Sequence, residues 1–184
     1  MTQALHRPND ILLLAGKVLC LFMQAAMAIG AFALIVASAA MLFWRGTIIA
    51  EYAAEAGDPN AVFPVFTLLG VMLIGLAIVA MLFVFFGALR RIIGTVGEGD
   101  PFAPANADRL SLMGWLMLGV QLALIPAVAL GIRLAQFADE LDDANFTVDG
   151  GFDLTGILLV VILFILARVF RHGAAMREDL EGTV

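Results

Sequence analysis

The chain has 184 residues, of which 62% are hydrophobic and only 14% charged, with a formal net charge of −6. A soluble domain needs roughly a quarter of its residues charged, so this composition excludes an ordinary water-soluble globule and predicts an exterior in contact with lipid. The 10 basic residues against 16 acidic ones exclude the basic face that direct nucleic-acid binding requires. One cysteine and two histidines exclude an internal disulfide and a Cys-rich or His-rich metal centre, and we expect no cofactor.

The first predicted span covers residues 14–44. Between Lys17 and Arg45 lie 27 uncharged residues, whereas a helix crossing a bilayer needs about 20. A cleaved signal peptide ending near Ala37-Ser38-Ala39 is the competing interpretation. The apolar run before that tripeptide is longer than the core of a signal peptide, which favours a retained helix.

The second predicted span covers residues 61–89, within 31 uncharged residues between Asp58 and Arg90. A cytoplasmic loop, 90–109, is expected to follow. Its glycines and prolines indicate a loop of restricted shape, and Pro104 suits the first position of the next helix.

The third predicted span covers residues 110–134. Its small residues recur every fourth position and predict close packing against another helix; they are Gly119, Ala123, Ala127 and Gly131. Pro126 predicts a kink in the same helix. Gln24 and Gln121 are the strongly polar side chains deep in the first three spans, and we expect them to hydrogen-bond to each other across the first and third helices.

The fourth predicted span, 153–170, is the shortest. Only 14 uncharged residues separate Asp153 from Arg168, so Arg168 must extend its guanidinium to the headgroups while its stem stays in lipid. The acidic segment before this span, 139–153, resembles a calcium loop in its alternation but lacks the turn glycine and the closing glutamate. A solvated acidic loop is the favoured interpretation, and the tail 171–184 is expected to continue the helix as an amphipathic segment.

The basic residues orient the chain, because Lys and Arg are retained on the cytoplasmic side. With both termini inside, eight of the ten basic residues are cytoplasmic. Only Arg45 and Arg133 lie outside, together with nine of the acids. We therefore predict an all-α membrane protein: four transmembrane helices in an antiparallel bundle, with both termini cytoplasmic. Residues 1–184 form a single membrane domain in the bacterial inner (cytoplasmic) membrane, with membrane lipid as its surroundings.

Two cytoplasmic motifs carry a family resemblance. One is Gly-Asp-Pro-Phe-x-Pro-x-Asn at residues 99–106, followed by Arg109-Leu110 and Gly114-Trp115; the other is Ala167-Arg-Val-Phe-Arg with Arg177-Glu-Asp. They resemble domain-of-unknown-function family 2975, four-helix integral membrane proteins of bacteria, and the resemblance spans nearly the whole chain. Members are often encoded beside a small helix-turn-helix regulator, so the resemblance implies a membrane partner that restrains a DNA-binding protein.

The preferred hypothesis is therefore an interaction protein whose cytoplasmic loop and tail bind such a regulator. Its predicted partner-binding residues are Gly99, Asp100, Pro101, Phe102, Asn106, Arg168, Phe170, Arg171 and Arg177. A small transporter or channel subunit is the alternative, although no ionisable side chain is expected near the bilayer centre, and a homo-oligomer is kept open. An enzyme acting on lipid ranks third, because no catalytic pair or catalytic motif is visible; we expect no enzymatic activity.

Overall fold

The computed structural model describes residues 8–57, 63–139 and 153–181, and every regular element in these ranges is an α-helix. The helices are α1 (Pro8–Phe43), α2 (Arg45–Ala56), α3 (Val65–Gly97), α4 (Pro104–Asp139) and α5 (Leu154–Glu181). Four of them, α1, α3, α4 and α5, are long and apolar enough to cross a membrane. The predicted all-helical class with four long apolar helices is thus confirmed. The acidic segment 140–152 lies outside the described residues.

Lipid-like surroundings are indicated by what these helices leave exposed. In the most apolar window of each, only 11%, 6%, 6% and 22% of the residues are buried, in chain order. Large side chains such as Phe22, Phe32 and Phe66 are about 70% exposed or more. A soluble monomer does not present apolar surface of this extent to water.

Helix boundaries differ from the predicted ones mainly around the loops. One boundary agrees with the sequence: residues Arg45 to Ala56 have a helical pattern followed by Gly57 as a stop, and they form a helix, separated from α1 at Trp44, that ends at Gly57 with φ of 65°. The predicted loop 90–109 shrinks to residues 98–103, because α3 continues to Gly97 and α4 already begins at Pro104. As expected, α5 continues into the tail, as far as Glu181.

The chain forms two compact units. One contains Met1–Ala28, Met81–Gln121 and Asp153–Val184, and the other contains Ile29–Ala80 and Leu122–Phe152. The first unit has a core contributed by α3, α4 and α5, consisting of Ala88, Ile92, Leu110, Met113, Leu163 and Ala167. In the second unit, Met41, Val65 and Leu69 are buried together, and the rings of Tyr52, Phe63 and Phe137 pack against one another at 5.5–5.8 Å.

The predicted hydrogen bond between Gln24 and Gln121 is wrong. Gln24 donates instead to the backbone carbonyl of Phe83 in α3, at 3.3 Å. Gln121 donates to the backbone carbonyl of Asp153 at 3.1 Å. Each amide therefore donates to a backbone carbonyl of another segment. The positions of polar residues in the sequence do not predict which carbonyl accepts the bond.

Of the predicted small-residue stripe, Gly119 is the member with a defined neighbour. A methyl group at Gly119 would lie 2.8 Å from the sulfur of Met81, so α3 and α4 approach closely there. Ala123, Ala127 and Gly131 are partly buried within the second unit.

Candidate functional site

The α3–α4 connection begins with a tight helix end built on Gly99. The N–H of Asp100 donates to the carbonyl of Thr95 at 3.0 Å, and the N–H of Gly99 donates to the carbonyl of Val96 at 3.1 Å. These two bonds form a Schellman motif, whose reversing residue must adopt a left-handed conformation. Gly99 does so with φ of 85°. The turn therefore directs Asp100, Pro101 and Phe102 back toward α4 and α5.

Asn106 locks this turn from the first part of α4. Its side chain is fully buried, at 0% exposure. Its amide nitrogen donates to Thr95 Oγ1 at 2.7 Å and to the carbonyl of Pro101 at 3.0 Å. Its amide oxygen accepts a hydrogen bond from Arg109 at 2.9 Å. The hydroxyl of Thr95 donates in turn to the carbonyl of Ile92 at 2.8 Å. One side chain thus joins the end of α3, the turn and the start of α4.

Phe102 connects the turn to α5. Its ring lies 5.4 Å from that of Phe170, centroid to centroid. A methyl group at Gly173 would come within 2.7 Å of the Phe102 ring, so only glycine admits this contact. Phe102 nevertheless keeps 42% of its surface exposed.

Two ion pairs hold the exposed part of α5. Arg177 pairs with Asp100 of the turn, and Arg171 pairs with Asp108 of α4 at 3.4 Å. All four side chains are at least 43% exposed, and such surface pairs stabilise by roughly 0–1 kcal/mol each. Their main effect is therefore to orient α5 beside the turn rather than to stabilise the fold.

The structure brings together most of the predicted partner-binding residues. Eight of the nine meet around the turn, namely Gly99, Asp100, Pro101, Phe102, Asn106, Phe170, Arg171 and Arg177. We call these eight, with Thr95, Asp108, Arg109 and Gly173, the turn platform. Arg168 lies apart, on an exposed face of α5. The prediction of site residues missed Thr95, Asp108, Arg109 and Gly173, and only a glycine inside the α5 tail hinted at a close contact.

Four of the basic residues, one of which is Arg109 of the turn platform, lie at one level along the helices. Gly16 of α1 packs against Ile93 of α3, Asn106 of α4 bonds to Thr95 of α3, and Asp108 of α4 pairs with Arg171 of α5. Each of these contacts fixes the relative height of two antiparallel helices. Counting a rise of 1.5 Å per residue from the contacts places the four basic residues within about 5 Å of the same height. We call them the basic belt: Lys17, Arg90, Arg109 and Arg168.

Lys17 extends from the belt toward the turn. Its ammonium lies 3.9 Å from the position that a methyl group at Gly97 would occupy. Gly97 is the last residue of α3, beyond Arg90 in the direction of the polar turn. This is the direction in which a lysine near the end of an apolar span places its charge.

A second polar cluster lies at the start of α5. Asp153 caps this helix, because its carboxylate accepts from the N–H of Thr155 at 3.1 Å. Gln121 donates to the carbonyl of Asp153 at 3.1 Å and approaches its carboxylate at 3.4 Å. A methyl group at Gly156 would overlap the Gln121 side-chain nitrogen, so the glutamine crosses α5 directly over this glycine.

The contact with Gln121 places Asp153 further along the apolar helices than the sequence predicted. Gln121 follows Arg109 by twelve residues of α4, a rise of about 18 Å, whereas the hydrocarbon core of a bilayer is about 30 Å thick. Asp153, which the sequence assigns to the outer loop, is therefore level with a glutamine deep in the third apolar stretch. The chemistry available at both clusters is hydrogen bonding and charge pairing, and in the described residues no group of three or more His, Cys, Asp or Glu side chains could hold a metal ion.

Comparison with known proteins gives one match. A family model described as "Protein of unknown function (DUF2975)" matches residues 48–184, which include the whole turn platform and the second polar cluster. The search of curated proteins and the search of solved structures give no match.

Proposed function

The chain belongs to the DUF2975 family of proteins of unknown function, and from that premise we propose that it is a multi-pass protein of the bacterial inner membrane that holds a small helix-turn-helix transcriptional regulator at its cytoplasmic surface. The described helices supply the spans, and the turn platform supplies the surface. Both termini face the cytoplasm in this arrangement.

The basic belt supports the proposed orientation. Lys17, Arg90, Arg109 and Arg168 share one level, next to the polar turn and at the ends of long apolar stretches. Arginine and lysine at the ends of spans favour the cytoplasmic interface. Asp100, Phe102 and Asp108 then lie on the cytoplasmic side, where a soluble regulator can reach them.

The observation that carries the proposal is that the turn platform is preassembled and only partly covered. Asn106 is fully buried and its two donated hydrogen bonds fix the turn, yet Phe102 is 42% exposed and Met176 of α5 is 52% exposed. A rigid surface that presents an aromatic ring and a methionine beside charged pairs loses little conformational entropy on binding a protein. The class of partner comes from the family resemblance, because members of this family are often encoded beside a helix-turn-helix regulator.

The test is co-purification of small helix-turn-helix regulators with this protein in mild detergent, with the candidates taken first from neighbouring genes. We expect Phe102→Ala to reduce recovery of the regulator by roughly tenfold or more, as for an exposed aromatic at the centre of an interface. Met176 is exposed and follows Gly173 by three residues, on the adjoining part of the α5 surface, so Met176→Glu should have a comparable effect. Phe66→Ala, at a phenylalanine of α3 that is 77% exposed in the other unit, is the matched control.

Undiminished recovery with both Phe102→Ala and Met176→Glu would contradict the proposed surface. A reporter gene under the regulator's promoter provides the second readout. Loss of binding should release the regulator and change expression in cells carrying Phe102→Ala, whereas Phe66→Ala should leave expression at the wild-type level.

One observation favours a second candidate, a small transporter. Asp153 and Gln121 form a polar cluster beside apolar helices, about 18 Å from the basic belt along α4. Ionisable groups at such depth mark ion and proton pathways in membrane proteins. Proton flux into proteoliposomes that falls with Asp153→Asn and persists with Glu51→Gln would support this candidate, and the absence of flux in the wild-type protein would reject it.

A further inference from the structure

An open groove runs along a single face of α5. Its lining is Ile165, Arg168, Val169, Arg171, His172 and Ala175. This face points away from the packed side of α5, where Leu163 and Ala167 are buried in the core. Ile165 and Val169 are 57% and 54% exposed. No described element covers this groove.

The groove changes character along its length. Ile165 and Val169 make one end apolar, whereas Arg168, Arg171 and His172 gather donors of hydrogen bonds at the other. Arg168 belongs to the basic belt and makes no ion pair with any described residue. The groove therefore passes from an apolar surface to a cluster of donors at the level where a span meets the headgroups.

Charge complementarity identifies the occupant. No acid lines the groove, and the nearest acidic partner, Asp108, holds Arg171 through one 3.4 Å contact between two side chains that are 65% and 80% exposed. A guanidinium carries five N–H donors in a fork that matches phosphate oxygens, so one such contact leaves most of the donors of Arg171 for another anion. Basic pockets at the cytoplasmic side of membrane helices recognise anionic headgroups in this way.

We propose that this groove binds an anionic phospholipid. Its phosphate lies between Arg168 and the donors of Arg171 and His172, and an acyl chain follows Ile165 and Val169 toward the bilayer interior. The binding rests on the proposed membrane insertion but not on the regulator. Through Arg171, which also pairs with Asp108, the bound lipid contacts the turn platform from its membrane side.

Trp115 is a built-in reporter for this site. Its ring lies 5.3 Å from that of Phe164, the residue before Ile165, and it is 63% exposed. Replacing Trp44 by Phe leaves Trp115 as the single tryptophan. The Trp44→Phe protein is reconstituted into bilayers of phosphatidylcholine and phosphatidylglycerol. In one sample phosphatidylcholine carries brominated acyl chains, and in the other phosphatidylglycerol carries them. Quenching of Trp115 fluorescence then measures which lipid lies beside this ring.

We expect brominated phosphatidylglycerol to quench Trp115 more strongly than brominated phosphatidylcholine at equal content. Arg168→Gln should reduce the relative affinity for phosphatidylglycerol by about fivefold, the effect of one basic residue near an anionic surface. Arg91→Gln is the matched control, because Arg91 is exposed beside the belt but does not line the groove. A general attraction of anionic lipid to a basic surface would respond to both variants equally.

Three results would overturn the proposal: equal quenching by the two lipids in the parent protein, equal losses with Arg168→Gln and Arg91→Gln, or displacement of phosphatidylglycerol by millimolar inorganic phosphate, which would assign the donors to a soluble anion. Failure of membrane insertion is distinguishable, since neither brominated lipid would then quench Trp115.

Discussion

Removing the amide of Asn106 should destabilise the protein more than any surface change to the turn platform. The side chain is 0% exposed and makes two donated and one accepted hydrogen bond. Asn106→Leu keeps the number and branching of the side-chain heavy atoms but leaves the hydroxyl of Thr95, the carbonyl of Pro101 and the guanidinium of Arg109 without this partner. A hydrogen-bonding group left without its partner costs about 1–3 kcal/mol, and the groups here are partly buried, so we expect the free energy of unfolding to fall by about 2–4 kcal/mol.

The measurement is equilibrium unfolding in mixed micelles, in which a denaturing detergent is titrated against a mild one and helix content is followed. Thr95→Val removes the acceptor of the shortest bond, 2.7 Å long, and completes a double-mutant cycle with Asn106→Leu. The two residues are in contact, so the coupling energy should lie between about 0.5 and 3 kcal/mol. Additive effects, or a loss below about 0.5 kcal/mol for Asn106→Leu, would refute the view that this amide locks the turn.

Three further substitutions test the glycines of the turn platform, Gly99 and Gly173, and the glycine beside Gln121 and Asp153, Gly156. Gly99→Ala forces a side chain into a left-handed conformation with φ of 85° and should lower the free energy of unfolding by roughly 1–2 kcal/mol, measured in the same micelle titration; an unchanged midpoint would contradict the Schellman turn. Gly173→Ala brings a methyl group within 2.7 Å of the Phe102 ring and should destabilise by about 1–3 kcal/mol, a loss that the double variant with Phe102→Ala should not increase further. Gly156→Ala places a methyl group on top of the Gln121 amide and 2.6 Å from the Asp153 carboxylate, so its thermal destabilisation, read as loss of monodisperse protein on heating, should decrease when Gln121 is also replaced by Ala; equal losses in both backgrounds would show that the contact with Gln121 is unimportant.

Some features of the turn platform could be predicted from local sequence. Gly99, Pro101 and Pro104 indicated a turn of restricted shape, and Pro104 begins α4 as expected. The extent of α3 could not be predicted, because Arg90 and Arg91 end the uncharged run while the helix continues to Gly97. A charge ends the apolar part of a helix but not its hydrogen bonding, so counting uncharged residues sets the length of a span rather than the length of its helix.

Polar residues within the apolar stretches were predicted less well. Gln24 and Gln121 each needed a partner, but the partners are the carbonyls of Phe83 and Asp153 rather than each other. A carboxamide donates to any acceptor within reach, including a backbone carbonyl. Two glutamines on different helices can therefore both be hydrogen-bonded without contacting each other. Which acceptor is closest depends on which helices are neighbours and on their register.

What the sequence determined by itself was the four apolar helices, because hydrophobic length and charge are properties of each segment alone, and the family, because its motifs are read directly from the residues. Tertiary structure decided that Asn106 is buried between Thr95, Pro101 and Arg109, that Gly173 admits Phe102, and that Asp153 is level with Gln121. These contacts join residues up to 71 positions apart, Phe102 and Gly173 being the most distant pair. They depend on how antiparallel helices align, which no single segment encodes.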